Sequence, residues 1–211
     1  MQEIKTKKFF LDTEFIEYPN TIDLISIGIV CENESELYAV NGGCDTTKSS
    51  DWVKENVLLK MPEYDKDNGL LTGMSISQMK EKILSYIEYN CGMDGNCKVR
   101  PEFWGYYADY DWVVFCWLFG AMIDLPEGWP MYCRDLKQWA DDMGNPNIPK
   151  QKYGEHSAIE DARWNKFAHE YLLLHREKRR TLQMKYPAYN PDQIDEMTVY
   201  MKKKYSDIYD F

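Results

Sequence analysis

Apolar and polar positions fall into two regimes along the chain. Its first forty residues carry the period of strands, and most of the remainder carries that of helices. Residues 7–13 read as a strand ending at an acidic pair, Asp12 and Glu14. The β-branched run from Ile22 to Cys31 is the strongest strand signal, and Glu36–Val40 follows across the polar turn 32–35. These three form an antiparallel meander that Asn41-Gly42-Gly43 ends. Ser50-Asp51 caps a short helix, and Ile76, Met79, Ile83 and Ile87 mark a helix over 75–90 with Ser75 as its N-cap. Phe103–Tyr107 reads as a buried strand feeding a helix from Asp111 to Met122. Trp129–Cys133 reads as another strand, Asp135–Met143 as a helix and Asn145–Pro149 as a loop. A long helix is expected from Ala158 to Arg179 or beyond. Pro187 and Pro191 break the chain before a last helix over 191–205.

A meander followed by alternating helices and strands predicts an α/β fold. Its mixed sheet, antiparallel at first and parallel after, carries helices on both faces. The expected division is a domain over 1–179 and a helical C-terminal extension over 180–211. With 211 residues, 44% hydrophobic and 15% aromatic, the chain is long enough to bury a full core. No run of about 18 apolar residues predicts a membrane span, and the N-terminus lacks the apolar stretch of a signal peptide, so a cytoplasmic location is expected. The six cysteines are expected as free thiols. The Cys91–Cys97 spacing is too wide for a zinc thiolate pair, and no second pair follows.

The chemistry-bearing residues change this picture. Asp12 and Glu14 stand two apart on a strand, so both side chains point to one face, about 6–7 Å apart at the backbone. An isolated Asp-x-Glu is usually a solvated strand end. Here Phe9, Phe10, Leu11 and Phe15 surround the pair, and unpaired carboxylates among them call for a counter-charge. Asp111 precedes an almost wholly apolar helix and reads either as an N-cap or as a third acidic ligand; Asp109 is its rival. His156 and Asp161 would stand about 140° apart on one helix. They meet only if His156 sits on the loop before the helix, and Gly154 supports that arrangement. His169 and His175 read as surface or capping residues. Hard oxygen ligands gathered in this way favour Mg²⁺ or Mn²⁺. The formal charge of −10 disfavours tight binding to long duplexes. Divalent ions would reverse the charge locally, which suits a nucleic acid gripped by one end.

Asp12-Thr13-Glu14-Phe15-Ile16-Glu17 with Thr21–Gly28, the Trp104–Met122 segment, Arg134-Asp135-Leu136 and His156-x-Ala158-x-x-Asp161-Ala162-Arg163 occur in the order of a known family. Over residues 8–170 the chain resembles the DEDDh-type 3′→5′ exonucleases of the RNase H-like superfamily. It is most similar to the polyadenylate-preferring exoribonucleases of the RNase AS type. The resemblance implies an RNase H-like fold and two Mg²⁺ (or Mn²⁺) ions held by Asp12, Glu14, Asp111 and Asp161. It implies His156 as general base and release of nucleoside 5′-monophosphates from the 3′ end of single-stranded or tailed RNA, with adenylate preferred. Single-stranded DNA or short oligonucleotides are the alternative substrate, and a homodimer is the implied assembly. Phe15 is a candidate stacking surface for the terminal base, in competition with a core role, and Ile16, Trp104 and Tyr107 are weaker candidates. Arg134 is a candidate phosphate contact.

Overall fold

β1 (Thr6–Tyr18) and β2 (Thr21–Cys31) are long antiparallel neighbours joined by the two-residue turn Pro19-Asn20. Asn20 takes φ 63°, the left-handed backbone that Asn tolerates in tight hairpins. β1 does not end at the acidic pair but continues to Tyr18. A bulge between Glu14 and Phe15 leaves Ile25 of β2 without a partner there. β3 (Glu36–Val40) completes the meander.

The computed structural model describes residues 5–92, 99–185 and 201–210. Its main sheet has five strands in the order β3-β2-β1-β6-β7. β6 (Arg100–Gly105) and β7 (Arg134–Asp135) extend the sheet in parallel, while β1, β2 and β3 are antiparallel. This is the mixed sheet predicted, and it is consistent with an RNase H-like fold. A hairpin of β4 (Tyr64–Asp65) and β5 (Leu70–Leu71) lies outside it. The expected strand at 129–133 does not form, because only Arg134 and Asp135 reach β6. Pro130, which has no N–H to give a ladder, interrupts that stretch.

Helices cover both faces. Phe9 and Leu11 of β1 and Ile27 and Ile29 of β2 pack on α2 (Ile76–Cys91) and α3 (Asp109–Trp117). On the other face Phe10 meets α4 (Leu136–Asp142) and α5 (Ala158–Lys185), while Ile16, Ile25 and Val40 pack with Val57 and Leu58 beside α1 (Asp51–Asn56). Ser75 caps α2 in a capping box with Gln78, and Ser50 caps α1, as the sequence predicts. α3 ends at Trp117 rather than Met122. Its last turn tightens where the Leu118 N–H is shared between two carbonyls, and Gly120 follows at φ 118°.

The C-terminal segment is not helical throughout. A helical turn at 201–205 leads to β9 (Tyr209–Asp210), which pairs with β8 (Lys150–Gln151). The rest of the helix expected over 191–205 lies outside the described residues, as does Cys97. Cys31, Cys44, Cys116 and Cys133 are free thiols. His169 and His175, read from sequence as surface residues, are buried. Both lie on α5, and His169 is walled in by Phe10, Trp104 and Trp139. Among the described residues no helix is long and apolar enough to cross a membrane.

Candidate active site

The strand period of β1 turns Phe10, Asp12 and Glu14 toward α5, whose first turn carries Asp161. Oxygens of Asp12, Glu14 and Asp161 lie within 4.8 Å of one another. Two features bring the helix this close. Gly28 of β2 sits under its start, where an added Cβ would stand 2.2 Å from the Ala158 carbonyl oxygen and 2.5 Å from Ile159 Cα. Asn165, itself buried, donates from Nδ2 to the Leu11 carbonyl at 2.8 Å, tying α5 to β1 beside Asp12.

Asp111 approaches from the opposite side of β1. It is the third residue of α3 rather than its N-cap, a place taken by Ala108 without a side-chain cap. Its Oδ1 accepts from the Thr13 N–H at 2.8 Å and from Thr13 Oγ1 at 2.6 Å, between the two acidic residues of β1. Asp111 is buried and Asp109 is exposed, which separates the two sequence candidates. Asp111 stands outside the tight trio, yet its charge acts on both Asp12 and Glu14. Asp135 braces this corner: its Oδ2 accepts from the Ala108 N–H at 2.8 Å, and its Oδ1 caps α4.

Burial, and then mutual repulsion, raises these carboxyls. Burial and the charges of Asp111, Asp161 and Glu14 hold Asp12 well above the usual carboxylate range. Glu14 is pushed up to about 8 by burial and by Asp161 and Asp111, with Lys60 opposing. Asp111 and Asp161 are each pushed to about 6 by burial, against hydrogen bonds that favour their charged forms. Among the described residues no Lys or Arg forms an ion pair with any of the four. A cluster of hard oxygen donors with no ion-paired cationic side chain among the described residues fits divalent Mg²⁺ or Mn²⁺.

His156 lies on the loop before α5, as its spacing from Asp161 required, in left-handed backbone at φ 67°. Asp161 holds that loop. Its Oδ2 accepts from the His156 N–H at 2.9 Å and the Ser157 N–H at 3.2 Å, and its Oδ1 accepts from Gln151 Nε2. Asp12, His156 and Asp161 face a cavity of about 550 Å³ that Tyr106, Asn147, Gln151 and Trp164 also line. That volume accommodates a nucleotide. The His156 ring also makes an edge-to-face contact with the Trp52 ring, at 4.8 Å between centroids. Trp52 is 53% exposed.

The candidate substrate contacts do not all converge here. Phe15 is half-buried and meets Tyr110 edge-on at 5.9 Å. Ile16 is corrected: at 1% exposure its side chain is enclosed with Ile25, Val40 and Leu58 and presents nothing to a substrate. Tyr107 is exposed at φ 56° and packs against Tyr106, a cavity residue. Trp104 and Arg134 lie together in a second cavity of about 570 Å³ bounded by α4 and α5, where Arg134 covers the indole and pairs with Glu102. The charges there are balanced, with Lys8, Arg134 and Arg176 facing Glu102, Asp135 and Asp142. Sequence reasoning missed Trp52, Gln151, Tyr106, Trp164 and Asn165. Only Trp52 carried a signal, an aromatic directly after the Ser50-Asp51 cap and off any helical apolar stripe.

Residues 7–173 match the family described as the 3′-5′ exoribonuclease Rv2179c-like domain. Two curated relatives are a 3′-5′ exoribonuclease of Mycobacterium tuberculosis, Rv2179c in strain H37Rv and MT2234.1 in strain CDC 1551. Each is 35% identical over 156 residues, covering 74% of this chain and 87% of the relative. Since the matched span carries β1, Asp111, His156 and Asp161 with the sheet beneath them, the chain belongs to the Rv2179c-like 3′-5′ exoribonuclease family.

Proposed function

We propose that this chain is a metal-dependent 3′→5′ exoribonuclease of the DEDDh type, with Asp12, Glu14, Asp111 and Asp161 as ligands of two Mg²⁺ or Mn²⁺ ions. One observation carries the reading. Half-buried Asp12, Glu14 and Asp161 converge with buried Asp111 close by, none of them ion-paired to a Lys or Arg among the described residues, beside a histidine that opens onto a nucleotide-sized cavity. When bound, the ions supply Lewis-acid stabilisation of phosphoryl charge and a water of lowered pKa. The side chains do the remainder. His156 accepts the proton of the attacking water on an imidazole nitrogen, the part of a general base. Its left-handed backbone, pinned by Asp161, fixes the ring between the carboxylates and Trp52. The cavity receives the 3′-terminal nucleotide, which leaves as a nucleoside 5′-monophosphate. Trp52 offers an exposed face for a base, and stacking of this kind is tolerant of sequence. Resemblance to RNase AS type enzymes extends the reading to adenylate-rich tails and to a homodimer.

The test is incubation of the protein with 5′-labelled A, U and mixed-sequence RNA and matching DNA, each with Mn²⁺, Mg²⁺ or EDTA. We expect a metal-dependent ladder shortening from the 3′ end and absent from Asp12→Ala. Relative rates on RNA, DNA and adenylate name the substrate. Intact substrates under every metal condition would sink the proposal.

A further inference from the structure

The chain beyond residue 173 lies outside the family match, yet its last described segment reaches the site. β9 pairs antiparallel with β8, aligning Asp210 with Lys150 and Tyr209 with Gln151. The neighbouring residues are held as well. The Lys152 N–H donates to the Ile208 carbonyl at 3.1 Å, Lys152 Nζ to the Ser206 carbonyl at 2.6 Å, and Tyr153 Oη to the Asp207 carbonyl at 3.0 Å. Lys152 also faces Asp210 at 3.8 Å. Every residue from Lys150 to Tyr153 is therefore bound to the C-terminal segment.

That segment is anchored on the helix that carries Asp161. Met201 and Tyr209 are 1% and 5% exposed, and Phe167 of α5 meets the Tyr209 ring at 3.9 Å and the Tyr205 ring at 5.0 Å. Tyr205 Oη donates to Glu170 Oε2 at 2.8 Å, with Lys204 3.7 Å from the same oxygen. Phe167, Glu170 and Tyr171 lie at i, i+3 and i+4 and so present one face of α5 to the segment. The segment thus ties the α5 shaft to the 150–153 loop, and that loop delivers Gln151 to Asp161.

We propose that residues 201–210 are a positioning strap for the catalytic loop, and that Gln151 is the positioning residue through which the strap acts. Among the described residues, β9 is the only strand that pairs with the chain between α4 and α5. Without it, a two-residue strand cannot hold its own register. The Gln151 amide, bound to Oδ1, fixes the plane of the Asp161 carboxylate and so the direction in which its remaining lone pair meets a cation. The opposite oxygen holds the His156 and Ser157 amides. Partners behind a metal ligand typically change metal affinity 10–100-fold. Tyrosine and lysine from outside the family match would then tune a site built inside it. This inference rests on Asp161 being a metal ligand, the reading proposed above.

The experiment compares the full chain with a chain ending at residue 200, with Gln151→Ala, and with the double variant Lys152→Ala/Tyr153→Phe. Four quantities are read: backbone amide exchange over 150–157, the Mn²⁺ dissociation constant, and kcat and KM on RNA. Truncation is expected to speed exchange over 150–157 at least about tenfold while α2 amides keep their protection. It should weaken Mn²⁺ about 10–100-fold, lower kcat and leave KM within about threefold. Gln151→Ala should reproduce the Mn²⁺ and kcat losses with exchange little changed, which separates positioning from folding. Should the truncated chain unfold, the double variant carries the test, with the same signs and smaller size. Unchanged exchange and Mn²⁺ affinity in both truncated and double-variant chains would overturn the strap. A full-length chain that binds no Mn²⁺ and cuts no RNA defeats the exoribonuclease proposal instead, and amide exchange still decides whether the strap exists.

Discussion

Metal binding to this site should expel protons, and the number is set by burial. Glu14 is held at about 8, so at pH 7 it is ~90% protonated in the metal-free protein. Asp12 is displaced in the same direction. Asp111 and Asp161, at about 6, are each ~10% protonated at pH 7. Saturating the protein with Mn²⁺ at pH 7 should therefore release about one to two protons. The Glu14 part should shrink to ~0.1 proton at pH 9. Apparent affinity should rise about tenfold per pH unit, or more, between pH 6 and 7. Calorimetric titration in buffers of different ionisation enthalpy reads the count directly as the slope of heat against that enthalpy. The same shifts fix a stability profile. The folded-state values are raised, so the metal-free fold binds more protons than the unfolded chain. Its stability is fullest below the unfolded carboxylate range near 4.5 and declines as pH rises to about 8, by roughly 3–5 kcal/mol from Glu14 alone as an upper bound. Divalent ions should reverse that decline. A binding heat independent of buffer at pH 7 would refute the reasoning, because it would mean the carboxylates are already ionised without a cation.

Three further perturbations read other parts of the site. His156→Ala should lower kcat about 10²–10⁴-fold while leaving the Mn²⁺ dissociation constant within a few-fold, since the amide rather than the ring holds Asp161; equal loss of both would remove the general-base assignment. Gly28→Ala inserts a methyl against the Ala158 carbonyl and should cost about 1–3 kcal/mol in denaturant unfolding, with weakened Mn²⁺ binding as α5 lifts off β2. A variant as stable and as tight as the parent would show that the helix start yields freely. Trp52→Ala should cut kcat/KM on RNA about 5–150-fold, the equivalent of one stacked base, with Trp52→Phe retaining most of it. An unchanged kcat/KM in Trp52→Ala would assign the indole to His156 alone.

Much of this protein was legible before any fold was known, for local reasons. Strand and helix periods are set by neighbours two or four residues apart, so the meander, the capped α1 and α2 and the long α5 follow from pattern alone. Segment 129–133 misled because apolar composition does not say whether a ladder partner is within reach; β6 accepts only Arg134 and Asp135, just beyond that stretch. The end of α3 misled because its apolar run outlasts the helix that Gly120 interrupts. The buried histidines misled for the opposite reason: a polar residue carries no local mark of facing inward.

The sequence by itself determined which residues are acidic, where the strand places two of them on one face, and that His156 had to precede the helix bearing Asp161. It could not determine what stands opposite them. Gly28 became the seat of α5, Asn165 the tie to Leu11 and Trp52 the neighbour of His156 only when segments more than a hundred residues apart packed together. The C-terminal segment is the clearest case. Nothing in residues 201–210 announces a partner, since a two-residue strand is defined by the hydrogen bonds of another strand rather than by its own side chains. Local periodicity is a property of the chain, whereas the closeness of carboxylates, and the burial that raises their pKa values, exist only in the packed fold.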